Sequence, residues 1–354
     1  MAKTKLRYTL LDRALGRGLI PDRVLRAGSR AGAAARIRQG AAGGVEVAQR
    51  RKTELVQRMS SGPVAEQTEE ANEQHYELPA EFFSLFLGPR KKYSGCLWPA
   101  GVNDIAGAEE AMLRLTCERA GIADGMEILE LGCGWGAVSL WMAEKYPNAQ
   151  ILGVSNSNGQ REWITARAEE RGLRNLEIRT VDVNDLSLDR RFDRIISIEM
   201  FEHMRNWREL LSRCSGWLEP NGRLFVHVFS QREHPYRFVD SWASERFFSG
   251  GVMPSHDLML HFQDDLSVLE SWAVSGTHSA TTLQAWLADF DANIDRIRAA
   301  LSGIVPGGPR RVEELIAQWR LFLISTDEIW GYRRGDEWLV SHYLLGQHGD
   351  TAPR

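Results

Sequence analysis

The stretch Ile128-Leu129-Glu130-Leu131-Gly132-Cys133-Gly134-Trp135-Gly136 decides the fold. Its apolar first half reads as a strand that runs into a glycine turn, and residues 137–145 beyond it read as a helix. Glycines let a backbone turn sharply and approach a ligand closely, and the helix N-terminus behind them offers unpaired N–H groups to a carboxylate. Glu130 stands just before the turn, placed to accept from the ammonium of an amino-acid tail. No third glycine is spaced for a pyrophosphate, so the combination favours S-adenosylmethionine over a dinucleotide.

Outward from this turn the pattern alternates. Residues 127–130, 150–154, 176–180, 194–198 and 222–229 predict strands, and 107–120, 137–145, 160–171 and 207–218 predict helices. That order predicts a Rossmann-like, doubly wound α/β domain over 71–354. Past Ser230 helices and aromatic stretches with paired glycines predict a helical lid insertion around 231–330, before a closing strand at 337–345. Residues 1–70 read as a basic helical N-terminal arm and linker.

The net charge of -4 conceals a polar chain. Residues 1 to 59 hold fourteen Lys and Arg against Asp12, Asp22, Glu46 and Glu54, about +10, so the rest sums to about -14. An anionic body argues against a nucleic-acid partner. The arm has two main readings, peripheral contact with an anionic membrane or docking on the acidic body, with a targeting segment as a third. No eighteen-residue apolar run or secretory signal occurs, and the four cysteines form no CxxC pair, so the expectation is a reduced, cytoplasmic protein with no metal. A homodimer is a further expectation.

Ligands of open α/β sheets lie beyond the carboxyl ends of the strands, which names the remaining candidates. After the second strand, Asn156 stands where a ribose hydroxyl would bind; after the third, Asp182 and Val183 stand where adenine would lie. Tyr93, Ser94, Gln160, Gly132 and Gly134 complete the expected cofactor set. After the fourth strand comes Glu199-Met200-Phe201-Glu202-His203. One turn of helix would put Glu199 and Glu202 on one side with His203 adjacent, suiting general acid–base work. Trp98 and Phe322 belong to an aromatic set, part of which should wall a substrate pocket. Ring faces attract the charge an amine gains on methylation.

These motifs carry a resemblance from about residue 70 onward. Tyr76-Glu77-Leu78-Pro79, Lys92-Tyr93-Ser94, the glycine turn, Ser197 to Met204, Phe262-Gln263-Asp264-Asp265 and Gly335-Asp336-Glu337-Trp338 resemble the coclaurine N-methyltransferase branch of the cyclopropane-fatty-acid synthase superfamily. The resemblance implies a class I methyltransferase fold and methyl transfer to a small, aromatic or alkaloid-like amine. It implies that Glu199, Glu202 and His203 hold and deprotonate that amine, with Glu77 and Trp319 lining its pocket. The lipid branch uses a bicarbonate held by a Cys, a Glu, a His and a Tyr. Here Glu202 and His227 match, but Gly95 and Ser279 stand at the Cys and Tyr positions. His227 is therefore either a substrate-site residue or a buried, hydrogen-bonded core histidine. The alternative activity is methylation or cyclopropanation of unsaturated phospholipid acyl chains.

Overall fold

The computed structural model describes residues 10–66, 78–238, 242–247 and 250–351. Three helices open the chain, α1 (Leu10–Gly16), α2 (Asp22–Ala41) and α3 (Gly44–Arg58). The short α4 (Ala80–Ser84) and long α5 (Ile105–Ala120) follow. Asp104 caps α5 by accepting the N–H of Gly107, and Gly121 ends it in the left-handed conformation, as a helix stop requires.

The alternation then runs β1 (Glu127–Leu131), α6 (Ala137–Lys145), β2 (Gln150–Ser155), α7 (Asn158–Glu170), β3 (Leu176–Thr180) and β4 (Phe192–Ile198). It continues with α8 (Trp207–Trp217) and β5 (Leu218–Gln231). A ribbon of β6 (Tyr236–Arg237) and β7 (Val252–Met253) flanks α9 (Trp242–Phe247). The chain closes with β8 (Ser267–Ser275), α10 (Gly276–Ala292), α11 (Ile294–Leu301), α12 (Pro309–Trp330) and β9 (Trp338–Gly346).

One seven-stranded sheet has the order β3-β2-β1-β4-β5-β9-β8. The first five strands are parallel, while β9 runs antiparallel to β5 and β8 antiparallel to β9. Its central strands are apolar on both faces, as a sheet covered by helices on both sides demands. The strand order reverses beside β1 and β4, whose carboxyl ends open the crevice. The stretch expected as one lid is divided by β8, which joins the sheet as its edge, so the helices α10 to α12 form a separate layer between the last two strands.

The basic arm docks on the body. Arg26 meets Asp327 at 2.6 Å and Glu328 at 2.7 Å, Asp22 takes two hydrogen bonds from Arg320, and Lys52 meets Asp257 at 2.7 Å. Asp12, 1% exposed, pairs with the buried guanidinium of Arg246 and accepts from the indole of Trp242. Leu55 and Met59 enter the core beside β4 and α8. The arm's attachment thus combines ion pairs with apolar burial. No described helix is long and apolar enough to cross a membrane.

Gly276 joins β8 to α10 at a close backbone approach, where an added Cβ would collide with the carbonyl oxygens of Trp338 and Trp330. Backbone cannot yield as a flexible side chain can. Gly276→Ala should therefore lower stability by about 1–3 kcal/mol in chemical denaturation, whereas the same change at open Gly28 should not lower it.

Candidate active site

β1 ends at Leu131 and the chain turns through Gly132, Gly134 and Gly136, with φ of 78°, 52° and 79°. Only glycine takes such values freely. A Cβ at Gly132 would press on Met200, whereas at Gly134 it would project into open space. Both glycines line a cavity of about 720 Å³ and a smaller adjoining one of about 110 Å³.

Glu130 lies at the floor of the larger cavity, 2% exposed, and accepts from the hydroxyl of Ser139. Burial pushes its carboxyl up to about 7, and the Ser139 bond pulls it back. The smaller cavity is walled by Asn156, Gln160, Val181 and Val183. Gln160 accepts from Ser155 at 2.6 Å while its amide nitrogen, buried, has no protein partner. Together the positive-φ turn, a buried carboxylate and this orphaned donor form an elongated polar and apolar cradle. It fits an amino-acid tail at one end and a nucleoside at the other.

Opposite the glycines, the chain leaves β4 with Glu199 at φ 45°, a conformation that costs a non-glycine residue about 1–3 kcal/mol. Its N–H donates to the carbonyl of His227 at 2.8 Å, which holds the turn. The carboxylate accepts from the N–H of Gly95 at 3.0 Å and faces His227 Nε2 at 3.3 Å. Burial raises the Glu199 pKa, while the Lys92 charge, the Gly95 N–H and His203 lower it. Lys92 is fully buried and donates to Ser94 and to the Gly95 carbonyl, fixing the loop that carries Tyr93. His203 lines both cavities, and burial pulls its imidazole down to about 4 against the pull of Glu199. It is neutral near pH 7, an uncharged ring on the wall of both cavities.

Several expected residues stand elsewhere. Glu199 and Glu202 do not share a helical face, because Glu199 is left-handed and only Phe201–His203 forms a 3-10 turn. Glu202 is wholly buried and lines neither cavity, with burial and the charge of Glu199 pushing its pKa well up. His227 lies behind Glu199, fully buried and off the cavity walls. Trp319 is core, edge-on to Phe82, Phe83, Phe247 and Phe322, and Trp98 turns its indole N–H to Thr282. Neither lines a cavity. Asp182 accepts the N–H of Asn184 as a loop cap, and Val181 and Val183 form the wall beside it. Glu77 lies outside the described residues. Tyr93, Ser94, Glu130, Gly132, Gly134, Glu199, His203 and Phe322 do converge on the larger cavity.

The two positions where the lipid branch has Cys and Tyr touch each other here. A Cβ at Gly95 would come 2.8 Å from Ser279 Oγ, and Ser279 lines the cavity. Cys96 is buried off the cavity, its thiol pushed up to about 12 by burial. The bicarbonate set is therefore not assembled. Sequence reasoning also missed the roof, which comes from the arm: Leu11, Val24, Leu25, Gly28, Ala33 and Arg36. The small residues Gly28, Gly32 and Ala33 were its only signal, since they let a helix approach closely.

The model of the mycolic acid cyclopropane synthetase family matches residues 64–328. The chain belongs to this family. It is 34% identical over 334 residues to "(S)-coclaurine N-methyltransferase" of Thalictrum flavum subsp. glaucum, covering 93% of this chain and 92% of that one. A crystal structure of coclaurine N-methyltransferase bound to N-methylheliamine and SAH superposes with a TM-score of 0.91 at 34% identity, over 95% of this chain and 99% of that one. The cyclopropane-fatty-acyl-phospholipid synthase of Escherichia coli (strain K12) is 32% identical, but over 61% of this chain and 55% of its own length. The family model begins after the arm, whereas the coclaurine N-methyltransferase alignments, over 93% and 95% of this chain, take in part of it.

Because the folded pKa of His203 is depressed, the unfolded chain binds a proton between about pH 6.5 and 4 that the folded imidazole refuses. That contribution to stability is present above about pH 6.5 and lost as pH falls toward 4. His203→Gln should flatten the slope of unfolding free energy against pH across this window, measured by denaturant titration.

Proposed function

We propose that this chain is an S-adenosylmethionine-dependent N-methyltransferase acting on a small aromatic, alkaloid-like amine. The observation that carries this reading is the convergence of Glu199 and neutral His203 on the glycine turn, inside one aromatic-walled cavity. The donor supplies an electrophilic methyl on a sulfonium sulfur. Gly132 and Gly134 offer backbone, Glu130 a carboxylate, and Gln160 an amide donor to hold it.

The protein's further work is to present a neutral nitrogen in line with that methyl, since alignment lowers the barrier to a displacement. Glu199 accepts an N–H of the amine and fixes its direction. His203 takes the proton that the nitrogen must lose, an imidazole near 4 doing so only transiently before passing it to water. Glu202, walled off from the cavities, serves as a positioning residue under this turn rather than as the base. Trp286, Phe322, Tyr236 and Trp330 wall the cavity, exclude water and offer ring faces to the cation formed, each worth about 0.5–2 kcal/mol. Because α1 and α2 roof this space, arm and sheet act as one catalytic unit.

The test is incubation with methyl-labelled S-adenosylmethionine against secondary and tertiary aromatic amines and unsaturated phospholipids, read by mass spectrometry. Label on an amine nitrogen is expected; label on acyl chains alone would overturn the reading. His203→Ala should lower kcat by roughly 10²–10⁴-fold, whereas Glu202→Gln should act more on stability than on turnover.

A further inference from the structure

Glu199 is the inner end of a hydrogen-bonded row that crosses the sheet. Ile198, His227, His342 and Trp272 are register partners on β4, β5, β9 and β8 in turn. The His227 and His342 rings lie 4.7 Å apart, both wholly buried. His227 Nε2 faces Glu199 Oε1 at 3.3 Å, His227 Nδ1 faces His342 Nε2 at 3.0 Å, and His342 Nδ1 faces Arg119 Nη1 at 2.7 Å. Arg119, on the last turn of α5, also stacks its guanidinium over Trp272 at 4.8 Å. Burial and the nearby charges of Lys92 and Arg119 hold both imidazoles well below their ordinary range, so both are neutral.

The direction of every bond in this row follows from its outer end. A guanidinium only donates, so His342 Nδ1 must accept, which puts the His342 proton on Nε2. That N–H points at His227 Nδ1, which must accept in turn, and the His227 proton is left on Nε2. His227 therefore donates to Glu199. Reversing any one link would set two N–H groups or two lone pairs against each other beside two fully buried rings.

We infer that Arg119, acting through His342 and His227, is a positioning residue that fixes Glu199 as an acceptor with Oε2 reserved for the substrate amine. Both protein hydrogen bonds to this carboxylate, from Gly95 and His227, fall on Oε1, and no described group bonds Oε2. The row and the Gly95 N–H together decide which oxygen meets the ligand and which way it points. The role assigned to Glu199 rests on the methyltransferase reading; the proton positions in the row do not.

The experiment is long-range ¹H–¹⁵N correlation NMR of histidine-labelled enzyme, combined with kinetics of Arg119→Met and Arg119→Lys. In the wild type, His227 and His342 should both show the Nε2–H tautomer. Arg119→Met should disturb the His342 tautomer and lower kcat roughly tenfold or more with KM for S-adenosylmethionine unchanged, as loss of one hydrogen bond to a charged group would. Arg119→Lys, still an obligate donor, should keep both tautomers and most of the turnover. An Nδ1–H tautomer on either wild-type histidine would overturn the inference, as would Arg119→Met that scrambles tautomers yet leaves kcat intact. If Arg119→Met fails to fold, the wild-type spectrum and the Lys variant still decide. A wild type with the expected tautomers but no amine methylation would sink the methyltransferase reading and spare the row.

Discussion

Parallel pairing of β1 with β4 is the constraint on which the rest of the structure depends. Leu131 pairs with Ser197, so the glycine turn after one strand and Glu199 after the other leave the sheet side by side. A slip of one residue would turn the side chains of β4 to opposite faces and move Glu199 away from Gly132 and Gly134. The buried branched residues Ile128, Leu129, Ile195 and Ile196 fix that register from both faces of the sheet.

The cavity is bounded by three layers of different origin: the strand ends, the helices between β8 and β9, and the arm. The arm is held by ion pairs to α12 and elsewhere together with the burial of Leu15, Ala33, Leu55 and Met59, whereas the strand ends are held by apolar burial. Screening by salt weakens exposed ion pairs more than burial. The roof is accordingly the layer in which one part of the attachment, such as the more exposed Asp22–Arg320 pair, responds to ionic strength.

Much of the fold was legible because buried parallel strands leave short apolar runs bounded by turn residues. Ile128 to Leu131, Ile151 to Val154 and Leu224 to Phe229 each show that signature, and each is a strand. β8 was hidden, since Glu270 and Ser271 interrupt it and most of this edge is only half-buried. Among the residues that line the cavities, the glycines, Asn156 and His203 were singled out from their places beyond strand ends. Glu202 was misplaced because a helical spacing rule was applied across a left-handed residue and a 3-10 turn. Trp319 could not be separated from pocket aromatics, because a core ring and a wall ring have the same composition and spacing. The row from Arg119 to Glu199 was invisible, because it joins a helix residue to His342, 223 positions away, and then crosses the sheet by strand register.

The central claim is that one cavity brings a methyl donor and the Glu199–His203 pair face to face. A crystal structure of the chain with S-adenosylhomocysteine tests it most directly. The account predicts the sulfur lodged between the Gly132–Gly134 turn and Glu199, with the nucleoside in the smaller cavity near Asn156 and Val183. A ligand bound elsewhere, or bound there with its sulfur turned away from Glu199 and His203, would contradict it.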